Sequence, residues 1–78
     1  METGDRIAID PAVCHGRPVI RGTRVPVSII LGSLAGGMSF DDVAHEYDLT
    51  HDDIRAAIGF AGEVLNAESF HTLPTAAE

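Results

Sequence analysis

The side chains best equipped for chemistry are three arginines, Arg17, Arg21 and Arg24, set into the run GRPVIRGTRVPV over residues 16–27. The chain has five arginines and no lysine, so most of its fixed positive charge lies in this one stretch. Guanidinium groups hold phosphates and carboxylates through charge-assisted, often paired hydrogen bonds. The stretch is therefore a candidate contact for nucleic acid or for an acidic protein surface. Its neighbours stiffen it. Pro18 and Pro26 fix their own φ and push Arg17 and Val25 toward extended geometry, while Gly22 allows a sharp turn.

Other reactive residue types are less usefully placed. Cys14 and His15 are adjacent and so rarely point at one atom, and no second Cys/His pair sits at zinc-site spacing. His45, His51 and His71 are scattered. Ser28 has no histidine–carboxylate arrangement to activate it, and RGTR lacks the glycine-rich spacing of a phosphate loop. Asp41-Asp42 and Asp52-Asp53 read as helix-start carboxylates rather than as paired acids. The expectation is a non-enzyme, with no catalytic residue, metal, cofactor or small-molecule substrate.

Charge sharpens the picture. A net charge of −7 argues by itself against nucleic-acid binding. The distribution is uneven, however: residues 1–26 carry +1 and residues 27–78 carry −8. The arginine turn is a positive island on an acidic chain. A single cysteine, no apolar run near ~20 residues and no secretory pattern in METGDRIAID lead to the expectation of a cytoplasmic protein without membrane contact. At 78 residues there is room for one domain with a thin stability margin, which favours a homodimer.

The elements that must position these groups are legible in order. Residues 1–5 read as frayed. Ile7-Ala8-Ile9 and Arg17 to Ile20 read as short strands of an N-terminal hairpin over about 7–20. Helices are expected at about 26–35, with Pro26 at the first helical position and Gly36-Gly37 as the stop, at 40–47 behind a Ser39/Asp42 capping box, and at 51–65 behind Thr50/Asp53. The third helix should bury Ile54, Ala57, Ile58, Ala61 and Leu65. Gly59 and Gly62 within it suggest close packing or an early end, or else a bare contact face for a partner. Residues 1–65 thus form a single helix-turn-helix-like domain, and residues 66–78 a tail whose Phe70 and Leu73 are candidate anchors to a partner.

The second and third helices are separated by about three residues, the spacing of a helix-turn-helix. Ala44 and Ile54, ten apart, suit its crossing, and Val43, Leu49 and Ala57 fall where it wants apolar side chains. Asp48 stands where the commonest version has glycine. The outward positions of the third helix would be His51, Asp52, Arg55, Ala56 and Gly59. Its acidic start would repel phosphates, so Arg17, Arg21 and Arg24 are the better candidates for phosphate contact.

The run from Asp10 to Ala61, with GRPVIRGTRVPV, AGGMS and DLTHDDIRAAI as its most specific parts, resembles the bacterial and archaeal family catalogued as domain of unknown function 433. The resemblance covers about residues 7–65. It implies a mainly α, three-helix, homeodomain-like domain with a short N-terminal β-hairpin, generally dimeric. It also implies an antitoxin-like role similar to the DNA-binding part of Vap-type antitoxins, with a PIN-like ribonuclease toxin as partner and operator DNA bound for autorepression. Positions matching the signature are Ile20, then Gly16, Pro18, Gly22 and Pro26, which form its structural part, and Arg17, Arg21, Thr23 and Arg24, which with His51 and Arg55 are the candidate DNA- or partner-binding residues. Two other readings stand beside this one: a DNA-binding regulator without a toxin, and a dimeric protein-interaction module that does not bind DNA.

Overall fold

The computed structural model describes residues 6–67 and the backbone of residues 2–3. Its strands are short: β1 (Glu2–Thr3), β2 (Ile7–Ala8) and β3 (Val19–Ile20) pair antiparallel in the order β1-β2-β3. Ile7 faces Ile20 and Ala8 faces Val19, so the two runs expected to form a hairpin do pair. The pairing of the Glu2–Thr3 backbone with β2 departs from the frayed start expected there.

Between β2 and β3 the chain makes a left-handed turn at Cys14–Gly16, with φ of 50°, 59° and 82° at its three residues. After β3 it folds back on itself. Ile20 N–H donates to Val25 O, and Val19 bridges to Pro26. The arginine stretch is therefore a small hairpin in its own right, with Arg21 to Arg24 at its tip. Gly22, at φ 82°, supplies the positive φ that the tip needs. Thr23 locks it: its hydroxyl donates to Ile20 O at 2.7 Å and accepts from Val25 N at 3.0 Å.

Three helices follow among the described residues: α1 (Val27–Ala35), α2 (Phe40–Tyr47) and α3 (His51–Ala67). Pro26 sits just outside α1 with an extended ψ, and its carbonyl accepts the first helical hydrogen bonds. Gly37, at φ 106°, carries the left-handed stop, with its N–H on Leu34 O. Both capping boxes form. Ser39 Oγ accepts from Asp42 N while Asp42 accepts from Ser39 N, and Thr50 and Asp53 do the same. The turn 48–50 joins α2 to α3. Asp48 takes φ 57°, ψ 52° there, the left-handed position that glycine usually fills.

The core draws Ile7 and Ile20 from the sheet, Val27 and Ile30 from α1, Val43 from α2, Leu49 from the turn, and Ile54, Ala57 and Phe60 from α3. The expected stripe of α3 needs correcting. Its buried face follows 54, 57 and 60, while Ile58 and Leu65 are 41% and 57% exposed. One residue on from Ala57, Ile58 is rotated by about 100° to the helix flank, and Leu65 lies in the last turns of α3, beyond its buried residues. Ala56, expected outward, packs against the core. Gly59 and Gly62 neither end the helix nor admit a neighbouring element, since a Cβ at either would meet nothing within 4 Å. No helix among the described residues is long and apolar enough to cross a membrane.

One long-range polar tie closes the domain. Arg6 Nη1 donates to Asp53 Oδ1 at 2.9 Å, linking the sheet to the start of α3. Partial burial of the Asp53 carboxyl pushes its pKa up, but hydrogen bonds from Thr50 N–H, the Arg6 guanidinium and the Thr50 hydroxyl outweigh this and hold it below the usual carboxylate value.

Three outcomes follow from these local geometries. Asp48→Gly should raise stability by about 0.5–1 kcal/mol by relieving the left-handed backbone, whereas Ser39→Ala should cost about 1 kcal/mol, both read from urea midpoints. Asp53→Asn should lower stability at neutral pH. Because the folded pKa of Asp53 is depressed, its contribution is present above the ordinary carboxylate pKa and fades as pH falls through the folded value. The wild-type and Asp53→Asn unfolding curves should therefore converge in acid; a gap that stays constant with pH would refute the assignment.

Candidate partner-binding surface

The hairpin divides its arginines between two faces. Arg17 precedes β3, and its guanidinium donates to Ser28 Oγ on α1 at 2.8 Å. It borders an apolar groove of about 400 Å3 lined by Pro18, Val27, Leu31, Phe60 and Val64. Arg21 and Arg24, at the tip, line a second concavity of about 640 Å3 together with Ala8, Asp10, Val13 and Val19. The island read from sequence is thus two separate sites.

The remaining cations are largely matched. Arg55 donates to Asp52 at 2.9 Å one turn away, and Arg6 lies 3.8 Å from Asp52 as well as on Asp53. His51 Nε2 meets Asp41 Oδ1 at 2.7 Å and stacks edge-on against Phe40. His51 and Arg55, two candidates for DNA contact, are thereby brought together at the start of α3 with Asp41 and Asp52, each beside a carboxylate. Arg21 donates to Ile7 O at 3.3 Å, and its own N–H donates to Arg6 O, so it braces the sheet as well as lining the concavity. Arg24 differs: its guanidinium has no hydrogen bond or ion pair among the described residues. Thr23 spends its hydroxyl inside the turn. Phe70 and Leu73 lie outside the described residues.

Sequence reasoning missed Arg6, whose partners are 46 and 47 positions away in the chain and leave no local signal. It also missed the left-handed conformation of Cys14 and His15: cysteine rarely takes positive φ, and although histidine does so more often than most residues, one histidine in a loop is too weak a signal. Cys14 Sγ lies 3.5 Å from Arg24 O, which joins this turn to the hairpin tip.

Comparison with known proteins places this architecture. A Mycobacterium tuberculosis (strain ATCC 25618 / H37Rv) protein named "Putative antitoxin VapB45" is 38% identical over 52 residues, covering 67% of this chain and 22% of that protein. The chain thus spans under a quarter of that relative's length. The crystal structure of Rv2018 from Mycobacterium tuberculosis superposes with a TM-score of 0.62 at 38% identity, over 67% of this chain and 24% of the other. A DUF433 member protein from Anabaena variabilis ATCC 29413 gives a TM-score of 0.74 at 29% identity, over 82% of this chain and 64% of its own. The family model described as "Protein of unknown function (DUF433)" matches residues 7–61, the span that holds the sheet strand β2, the arginine hairpin and most of the helical bundle, and the chain belongs to that family.

Proposed function

We propose that this chain is an antitoxin-like, non-catalytic cytoplasmic protein that binds and neutralises a PIN-like ribonuclease toxin and, as a homodimer, binds operator DNA to repress its own expression. The antitoxin reading draws on the relative named as an antitoxin. The observation that carries it is the state of Arg24. Each of the other described arginines makes a side-chain hydrogen bond or ion pair, and Arg24, exposed at the hairpin tip, makes none with the described residues. A nuclease that binds divalent metal through carboxylates offers such a guanidinium a charge-assisted partner and loses its metal site on binding it.

The start of α3 is a poor phosphate contact, since Asp41, Asp52 and Asp53 lie around it and its basic side chains already meet these carboxylates. Operator contact is accordingly assigned to Arg17, which is exposed on the other face of the hairpin, meets the neutral Ser28 hydroxyl and is repeated in each protomer. An equimolar amount of the purified protein should suppress RNA cleavage by the PIN-like ribonuclease of the same operon, and Arg24→Ala should weaken inhibition at least tenfold. Full nuclease activity in the presence of the wild-type protein would end the toxin reading. For DNA, Arg17→Ala should reduce the slope of log affinity against log salt by about one per protomer; an unchanged slope would remove Arg17 from the operator contact.

A further inference from the structure

The concavity beside Arg24 has a mixed lining. Ala8, Val13 and Val19 give it an apolar part, Arg21 and Arg24 give it positive charge, and Asp10 adds a carboxylate. Asp10 is anchored there, with Oδ1 accepting from Ala12 N–H at 2.9 Å and its carbonyl accepting from Val13 N–H at 2.8 Å. The adjoining turn holds Cys14 and His15 at φ of 50° and 59°. Side chains in that conformation cost roughly 1–2 kcal/mol each, and such strain gathers at ligand sites. The turn touches the hairpin tip through Cys14 Sγ and Arg24 O, so the shape of the concavity is built from both sides.

This lining selects among anions. A nucleic-acid backbone brings a phosphate at every step, and Asp10 repels it while the apolar residues gain nothing from it. An extended peptide brings one carboxylate among N–H donors and apolar side chains. We propose that the concavity binds an acidic side chain of an extended peptide segment. The carboxylate pairs with Arg24 in the positive field of Arg21. A neighbouring backbone N–H of the segment donates to Asp10, and its flanking aliphatic side chains cover Ala8, Val13 and Val19. The inference rests on the antitoxin reading only for which protein supplies the segment.

Titration of the protein with acetyl-Val-Glu-Val-amide, followed through backbone amide shifts, tests this without any nuclease. Shifts should concentrate at Val13, Gly22, Thr23 and Arg24, while those of α2 and α3 stay put. The glutamine analogue of the peptide should bind at least tenfold more weakly, Arg24→Ala should weaken the glutamate peptide at least fivefold, and Asp10→Asn should weaken it two- to threefold. Unshifted α2 and α3 resonances in both variants show that they fold. Equal binding of the glutamine peptide, tighter binding by Asp10→Asn, or displacement of the peptide by an equal concentration of a short DNA duplex would overturn the proposal. Peptide binding together with failure to inhibit the nuclease would refute the toxin reading alone.

Discussion

Five β-branched side chains, one from each of the elements around the core, are almost wholly removed from water: Ile7 from β2, Ile20 from β3, Ile30 from α1, Val43 from α2 and Ile54 from α3. Each is worth roughly 1.5–3 kcal/mol when buried. Val27 and Phe60 join them in one cluster, so no element can leave without exposing side chains of the others. The two-residue strands show this best. A sheet so small is marginal in water, and it persists because Ile7 and Ile20, paired across it, are also the contacts it makes with the helices. The arginine hairpin grows directly out of Ile20, so its position is fixed by the same cluster.

The polar interactions refine rather than create this arrangement. Among the described residues no polar or charged residue is fully buried, so the core carries no desolvated group in need of a partner. Capping boxes set where α2 and α3 begin, and Arg6 holds the sheet against the start of α3. The acidic residues that cap the helices also make that end of the molecule repellent to phosphate. Helix starts and anion rejection are thus produced by the same carboxylates, and the display of unmatched positive charge falls to the hairpin.

What the sequence made legible was whatever is encoded within a few residues. Ser39 with Asp42, Thr50 with Asp53 and the Gly36-Gly37 pair located the helix ends closely, because each signal and its partner lie within one turn. The pairing of the runs that hold Ile7 and Ile20 was also legible, from their apolar residues and the proline that closes the first one, whereas the register that sets Ile7 opposite Ile20 was not. The division of the arginines was not. Arg17 and Arg21 are four residues apart, yet the intervening strand and the fold-back from Ile20 to Val25 send them to different faces. The buried stripe of α3 was misread for a related reason. Helical spacing admits both 54-57-58-61-65 and 54-57-60, and only the placement of α1 and α2 decides between them.

The run of α3 beyond Phe60 gives the domain a gradient of local stability. Residues 62–67 are exposed, and Gly59 and Gly62 leave the outer backbone bare of side chains. These last turns are held mainly by their own helical hydrogen bonds, which in water leave little net free energy per residue. Their amides can open to solvent by fraying from Ala67 inward, without disturbing Ile54 or Ala57. Amide exchange should therefore be fast at the end of α3 and slow at its start, so that one helix spans the range from local fraying to global unfolding.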